Sequence, residues 1–225
     1  MCGRLTTHQG ELRVQFLDGF ASPPSYPGER RRKWEEGDQW NVAPTETVWV
    51  VAENEPRLRP MRWWLTPSWA DSTAPGYSMF NARAENLEKS PAFRDSFRHR
   101  RCVVPITGYY EWLTVAGKKQ PYLIEPIDTP MLLGGIWDVW TKDGGHFESF
   151  AIVTTDAVEG MAWLHNRQPL FIHPEEMETW MRADTPLEEV RPMLTPALPS
   201  RSGSARHAQD GKFAIQSPRC RRADW

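Results

Sequence analysis

The most reactive arrangement in the sequence lies at its start, MCGR, where a cysteine follows the first methionine. Aminopeptidases commonly remove a methionine that precedes a small residue, and loss of Met1 leaves Cys2 as the first residue. Its α-amine and its thiol then stand on adjacent carbon atoms and form a 1,2-aminothiol. Both groups are nucleophiles, with ordinary pKa values of about 7.7–8.0 and about 8.5. Cys2 is therefore a candidate catalytic residue.

Four internal stretches place polar residues where a strand-rich core is expected to be apolar: NVAP at 41–44, NARAE at 81–85, GYYEW at 108–112 and HNRQP at 165–169. Strand alternation puts Glu111 on the same face as Tyr109, among aromatic side chains. A carboxyl group there can move protons between reacting groups, and the imidazole of His165 can act as an acid or a base. From residue types alone, Glu111 could equally form a surface salt bridge and His165 a structural hydrogen bond.

The NARAE stretch suggests a contact with sugar and phosphate. If it is extended, Asn81 and Arg83 share a face, and Glu85 follows on that face, where it would orient Arg83. An amide and a guanidinium two residues apart suit a sugar oxygen and a phosphate. Asn41 in NVAP is instead expected to form an Asx turn before Pro44, which is a structural role.

Short strands with interspersed helices are predicted around these residues. β-Branched and aromatic residues predict strands at 47–52, 58–65, 102–105, 108–113, 122–125, 131–137, 147–155 and 168–172. A short helix is predicted at 11–17. Capping signals predict helices at 91–98, 157–163, 174–182 and after 185, the second of these from a capping box of Asp156 and Glu159. The sum is an α+β domain over 1–196, with a curved, barrel-like mixed or antiparallel sheet and surrounding helices. Residues 197–225 lack periodicity and predict a divergent, poorly ordered tail.

Composition narrows the class of protein. The 225 residues carry a net charge of −2, which argues against a broad basic nucleic-acid surface but leaves room for a local groove. The absence of a long apolar run and of a secretory signal predicts a cytoplasmic protein without a membrane partner. Three cysteines without CxxC and six histidines without ligand spacing predict neither a disulfide framework nor a metal. Twelve tryptophans suit a core and also surfaces on which bases stack.

Taken in order, the motifs MCGR, WNVAP, RWWLTPSWA, FNARAE, GYYEW with KKQPY, IVTT and LHNRQP resemble the SOS-response-associated peptidase (SRAP) family. The resemblance covers about residues 1–195 and implies a single domain that recognises abasic sites in single-stranded DNA. We expect the protein to be a monomer. It implies that the open-chain aldehyde of the abasic sugar is linked to the N-terminal cysteine as a thiazolidine, which shields the lesion from strand breakage. The amine forms an imine and the thiol closes a five-membered ring, which a lysine could not do. No cofactor is implied.

The resemblance also assigns roles to residues. The family's catalytic positions match Cys2, Asn81, Glu111 and His165. Its DNA-binding positions match Arg4, Arg83, Pro67, Trp69 and Arg167, and the region around Pro67 and Trp69 is expected to wedge against bases beside the lesion.

Three features depart from the family's pattern. Gln168 stands where an apolar residue, commonly methionine, precedes the proline, and Trp64 stands where glycine is typical. The family usually continues with a strand that carries a Val-Ser…Val-Asn-Asn type motif, and residues 197–225 show none. These departures bear on local packing and on DNA affinity more than on the crosslinking chemistry.

Other functions are compatible with the same cysteine. An N-terminal-nucleophile amidohydrolase would attack an amide with the thiolate and use the α-amine as base. A thiol autopeptidase that removes Met1 would use Arg4, Glu111 and His165. A non-catalytic single-stranded DNA binder would not need Cys2 at all. The internal series NARAE, GYYEW and HNRQP favours the crosslinking function over the amidohydrolase.

Overall fold

The computed structural model describes residues 2–8, 38–52, 57–73, 78–126, 131–142, 145–198 and 213–216. The strands in these ranges are β1 Arg4–Thr7, β2 Gln39–Val42, β3 Thr47–Ala52, β4 Arg57–Trp63, β5 Asn81–Arg83, β6 Arg101–Ile106, β7 Gly108–Val115, β8 Lys118–Pro126, β9 Met131–Lys142, β10 Gly145–Asp156, β11 Arg167–Pro169 and β12 Phe213–Gln216. The α-helices are α1 Arg94–His99, α2 Glu159–Ala162, α3 Met177–Met181 and α4 Leu187–Val190. Each of these helices is short, and within the described ranges no helix is long and apolar enough to cross a membrane.

The strands form two sheets. The five-stranded sheet is antiparallel and has the order β12-β8-β7-β1-β2. The seven-stranded sheet has the order β11-β10-β4-β3-β6-β9, with β5 also paired to β10, and its β9 pairs with β10 as well. The second sheet therefore closes on itself. Because β4 and β10, like β3 and β6, pair over only two residues, the sheet is a strongly curved ring rather than a true barrel. The predicted α+β class with a curved mixed sheet is confirmed.

Two apolar clusters pack against opposite faces of the seven-stranded sheet. The first joins residues of both sheets and includes Cys2, Val50 and Tyr109. The second packs the helices against the other face and includes Val51 and Trp180. Adjacent residues of β3 thus serve different clusters, which explains why its sequence is a continuous apolar run rather than an alternating one.

Arg101, at the start of β6, is fully buried and binds backbone carbonyl groups at the ends of two helices. Its guanidinium donates hydrogen bonds to the carbonyls of Phe97 and Arg98 at 2.7 Å each and to that of Trp180 at 2.5 Å, and it also binds the carbonyl of Arg182. Burial lowers the pKa of Arg101 to about 10, so the side chain is charged at neutral pH. This single side chain ties the C-terminal ends of α1 and α3 to the sheet.

Two predicted helix starts are wrong. Residues 91–93 form turns, and helix α1 begins only at Arg94. Helix α2 begins at Glu159 with Val158 as its N-cap residue, and it has no capping box. The reason is that the carboxylate of Asp156 ends β10 as the partner of Arg167, at 2.7 Å, and is not available as a cap.

The C-terminal region contains a strand that the sequence does not predict. Phe213–Gln216 forms β12, antiparallel to β8, with Ile215 opposite Ile124. Ile215 packs against the first apolar cluster. The sequence pattern does not predict this strand, because four residues at the edge of a sheet are too few to show a strand periodicity. Most of the tail, at 199–212 and 217–225, lies outside the described residues, as does the predicted helix at 11–17. The domain boundary at 196 therefore stays a prediction.

Candidate active site

Cys2 and Asn81 meet between the two sheets. Cys2 is fully buried in the first apolar cluster. Asn81, the first residue of β5, donates a hydrogen bond from Nδ2 to the backbone carbonyl of Cys2 at 2.8 Å. Strand β5 is held by parallel pairing with β10, where Asn81 lies opposite Ile152. The other side-chain atom, Oδ1 of Asn81, is buried and has no hydrogen-bond partner among the described residues. Asn81 thus fixes the backbone of Cys2 and keeps a hydrogen-bond acceptor for another group.

Glu111 reaches the same place from β7. Strands β1 and β7 are antiparallel, with Leu5 opposite Tyr109 and Arg4 opposite Tyr110, so Glu111 lies beside the residues that precede β1. The Glu111 side chain is 3% exposed. The pKa of the Cys2 thiol is raised well above its ordinary value, mainly by burial and then by the negative charge of Glu111. The structure therefore brings a thiol, an amide and a carboxylate together from three distant segments.

Cys102, the other free cysteine that the structure describes, provides a contrast. It is equally buried in β6, and its Sγ fills the space above Gly135, where an added Cβ would lie 2.9 Å away. Burial alone raises the pKa of the Cys102 thiol, without a contribution from a carboxylate. Across the described ranges, no group of three or more His, Cys, Asp and Glu residues is arranged to hold a metal ion.

His165 lies in the turn between α2 and β11 and is half-buried. Its Nδ1 accepts a hydrogen bond from the backbone amide of Arg167 at 2.9 Å, so the neutral imidazole carries its proton on Nε2. Two residues earlier, the Trp163 ring meets the Tyr122 ring edge-on at 5.4 Å. Tyr122 is the cross-strand partner of Glu111. An aromatic contact thus packs the histidine turn against the strand next to the carboxylate.

The predicted DNA-binding arginines have different surroundings. Asn41 lies in β2, and its Oδ1 accepts a hydrogen bond from Nη1 of Arg4 at 2.7 Å. Asn41 therefore holds Arg4 in place and does not form the expected Asx turn. Arg83 ends β5 and is exposed. Glu85 does not continue that face, because a 3-10 turn begins at Ala84.

Arg167 is occupied by protein partners. Its Nη2 binds Glu85 at 2.9 Å and the carbonyl of Thr154 at 2.7 Å, and its Nη1 binds Asp156 at 2.7 Å. Only 9% of its side chain is exposed. These contacts join β10, β11 and the turn after β5, and they favour a structural role over the predicted DNA contact.

The loop after β4 presents an exposed tryptophan on a fixed backbone. In this Trp69 loop, residues 66–70, the Trp69 side chain is 55% exposed while Pro67 is buried. Side chains of β9 and β10 bind the loop backbone at three points: the Thr66 amide to Ser149 Oγ (2.8 Å), the Ser68 amide to Asp138 Oδ2 (2.9 Å) and Trp140 Nε1 to the Ala70 carbonyl (2.9 Å). The backbone that carries Trp69 is therefore held in place before any ligand arrives.

Sequence reasoning missed two positioning residues. Asp138 is 5% exposed and forms an ion pair with Arg100 at 3.2 Å in addition to its contact with the Trp69 loop. Gln168 is 1% exposed, accepts the Val158 amide at 2.9 Å and donates to the Ala197 carbonyl at 2.7 Å. An acid within the apolar run MLLGGIWDVW was the available signal for Asp138. The sequence marks Gln168 only as a departure from the family's pattern, and its partners show that it ties the start of α2 to the C-terminal segment.

Comparison with known proteins places this arrangement in a family. The sequence model described as SOS response associated peptidase (SRAP) matches residues 1–207. The chain belongs to the SRAP family. Among its relatives, the abasic site processing protein YoaM of Bacillus subtilis is 30% identical over 186 residues, which are 80% of this chain and 79% of YoaM. The abasic site processing protein YedK of Escherichia coli is 32% identical over 192 residues, which are 82% of this chain and 81% of YedK.

Solved structures share the SRAP chain's architecture. A crystal structure of a protein from Bacteroides thetaiotaomicron has a TM-score of 0.75 and 25% identity, with 87% of each chain covered. One from Bordetella bronchiseptica has a TM-score of 0.73 at 19% identity and covers 97% of this chain and 100% of the other. The second likeness concerns the fold alone.

Proposed function

We propose that this SRAP protein recognises abasic sites in single-stranded DNA as a monomer and, after loss of Met1, links them to Cys2 as a thiazolidine. The observation that carries the proposal is the meeting of Cys2 with Asn81 and Glu111 in one buried site. Family relatives named abasic site processing proteins support the choice of substrate. The crosslink shields the sugar from strand breakage.

The first step is addition of the Cys2 α-amine to the sugar aldehyde. A C–N bond forms, the C=O π electrons move to oxygen, and that oxygen takes up the proton that the nitrogen releases. The 2.8 Å hydrogen bond from Asn81 holds Cys2 in one orientation, which lowers the entropic barrier to attack. The free Oδ1 of Asn81 accepts a hydrogen bond from the amine or from a sugar hydroxyl.

Glu111 acts as acid and then as base. As a carboxylic acid it gives a proton to the carbinolamine hydroxyl, the C–O bond breaks, water leaves, and an iminium remains. Because burial keeps the pKa of the Cys2 thiol high, the thiol needs a base at neutral pH. The Glu111 carboxylate takes the thiol proton while sulfur bonds to the iminium carbon, which closes the ring and leaves a neutral nitrogen.

His165 serves the reverse direction. With its proton on Nε2, the imidazole is a hydrogen-bond donor toward the sugar oxygen. Donation there assists ring opening and the return of water to the imine. His165→Ala is therefore expected to slow release of a preformed adduct more than its formation.

The DNA contacts follow from exposure and charge. Trp69 stacks on a base beside the lesion, and Pro67 shapes the loop that carries it. Arg83 binds a phosphate, and Arg4, held by Asn41, binds a flanking phosphate. Single strands are preferred because a wedge of this kind needs unpaired bases.

The test is intact-mass spectrometry of the protein mixed with an oligonucleotide that contains one abasic site, single-stranded or double-stranded. A covalent adduct is expected with the single strand, and Cys2→Ala should abolish it. Cys102→Ala is the matched control, since it removes an equally buried thiol that lacks a carboxylate neighbour. Glu111→Ala should slow formation. An undiminished adduct in Cys2→Ala would refute the proposal, and ammonia released from glutamine would favour the amidohydrolase.

The removal of Met1 has its own test. If the chain is an autopeptidase, Glu111→Ala should retain Met1 when it is expressed in the same cells as the wild type. If a cellular aminopeptidase acts, both proteins lose Met1 equally. The two masses differ by one methionine residue and are resolved in a single spectrum.

A further inference from the structure

Tyr109 lies two residues before Glu111 in β7, and the proposed mechanism leaves its hydroxyl unused. The side chain is fully buried in the cluster that contains Cys2, and its ring packs against Phe171 at a centroid distance of 6.4 Å. The hydroxyl oxygen has no hydrogen-bond partner among the residues that the structure describes. A buried hydroxyl without a partner destabilises the folded state, and phenylalanine would fill the same space without that cost.

The hydroxyl lies near the reacting groups. Alternation puts Tyr109 and Glu111 on one face of β7, and the rings of Tyr110 and Trp112, 6.3 Å apart, occupy the other face. Burial raises the pKa of Tyr109 well above its ordinary value, and negative charge on Cys2 and on Glu111 raises it further. The phenol therefore keeps its proton at neutral pH and is a hydrogen-bond donor close to both groups.

We propose that Tyr109 is a catalytic residue whose hydroxyl donates a hydrogen bond to the aldehyde oxygen while Cys2 attacks. This inference rests on the proposed function, because it concerns the same site and the same aldehyde. Negative charge develops on that oxygen as the C–N bond forms, and a positioned donor in a water-poor site stabilises such charge effectively. Glu111 holds the proton that later goes to the leaving hydroxyl, so a second donor that keeps its own proton leaves that step intact.

The step balances without another reagent. The nitrogen lone pair forms the bond to carbon, and the C=O π electrons move to oxygen. That oxygen then takes the proton released by nitrogen. Tyr109 keeps its own proton throughout and donates only a hydrogen bond, and Glu111 supplies the proton for the later loss of water.

The test compares Tyr109→Phe with Tyr110→Phe, the same change on the opposite face of the strand. With the abasic single strand, Tyr109→Phe should lower the limiting rate of adduct formation by about a hundredfold to a thousandfold. The half-saturating DNA concentration should stay the same, and Tyr110→Phe should react like the wild type. Urea unfolding should find Tyr109→Phe at least as stable as the wild type, because the lost hydroxyl has no partner. An unchanged limiting rate, or a clear loss of stability in Tyr109→Phe, overturns the inference.

A second probe separates this inference from the proposed function. Protein that begins at Cys2 is mixed with glycolaldehyde, and the mass gain of aldehyde minus water is followed over time. If the wild type reacts with glycolaldehyde and ignores abasic DNA, the proposed function fails while the Tyr109→Phe comparison still decides the role of Tyr109. Slower condensation in Tyr109→Phe than in Tyr110→Phe supports the role, and equal rates refute it.

Discussion

Replacing Asp138 with alanine should weaken DNA binding although the side chain is expected to touch no DNA. Its carboxylate accepts the Ser68 amide at 2.9 Å and pairs with Arg100 at 3.2 Å, and only 5% of the residue is exposed. Asp138→Ala removes both of these contacts and the hydrogen bond from the Val139 amide at 2.8 Å, and it frees the backbone next to Trp69. The tryptophan then has to be ordered when DNA binds, and that ordering opposes binding.

The magnitude has an upper limit set by the tryptophan itself. Stacking of an aromatic side chain on a base contributes about 1–3 kcal/mol, so Trp69→Ala should weaken binding by about 5- to 150-fold. Asp138 acts through the loop, and Asp138→Ala should therefore weaken binding by no more than Trp69→Ala does. Its effect on folding is separate: loss of a buried charged acceptor should lower the free energy of unfolding by about 2–4 kcal/mol.

The assay is fluorescence anisotropy with a single strand that carries a tetrahydrofuran abasic analogue. This analogue lacks an aldehyde, so only reversible binding is measured. Asp71→Ala is the control for charge, since its carboxylate belongs to the same region but is 98% exposed. Removing an acid by itself favours binding to phosphate, so Asp71→Ala should bind as tightly as the wild type or slightly tighter.

The double variant decides the mechanism. If Asp138 acts only by holding the loop, Asp138→Ala should add nothing to Trp69→Ala, and the two effects should be strongly non-additive. Fully additive effects, or wild-type affinity in Asp138→Ala, would refute the reasoning.

Three further predictions concern stability, each checked by urea unfolding. Arg101→Met should lower the free energy of unfolding by about 3–5 kcal/mol, because four backbone carbonyl groups, two of them in buried contacts, lose a charged donor; a loss below 1 kcal/mol would contradict this. Gln168→Met should cost about 1–3 kcal/mol, since an amide and a carbonyl lose their partner, and equal stability would show that an apolar residue serves as well. Stability should also fall as the pH rises above 9.0, because Cys2, Cys102 and Tyr109 have raised pKa values and stay protonated when folded while the unfolded chain ionises; a flat profile between pH 8 and 10.5 would refute it.

Local patterns predicted the strands well and the helix starts poorly. The run TVWVVA predicted β3 at its observed bounds, because β-branched residues buried on both faces leave few alternatives. Asp156 has the right spacing from Glu159 for a helix cap, but its carboxylate forms an ion pair with Arg167 instead. The short strand at Phe213–Gln216 depends on an edge supplied by β8, which no local pattern reveals.

The sequence predicted those residues of the candidate site that stand in a recognisable motif. Cys2, Asn81 and Glu111 each stand in a recognisable stretch, and the structure brings them together. The supporting contacts of Asp138 and Gln168 were not predictable, since each depends on backbone groups far away in the chain. The residue type does not predict which backbone group such a side chain binds, because many amide and carbonyl groups in the chain could form the same hydrogen bond.

The enclosure of Cys2 has a consequence for timing during synthesis. Asn81, which binds the Cys2 carbonyl, is added 79 residues later. At typical rates of elongation, this interval lasts about 4–16 s. Until β5 and β7 have left the ribosome, nothing can cover the second residue, and a processing enzyme has free access to the chain in front of it. Once the sheets close, Cys2 is buried, so the order in which the segments are made allows trimming first and burial afterwards.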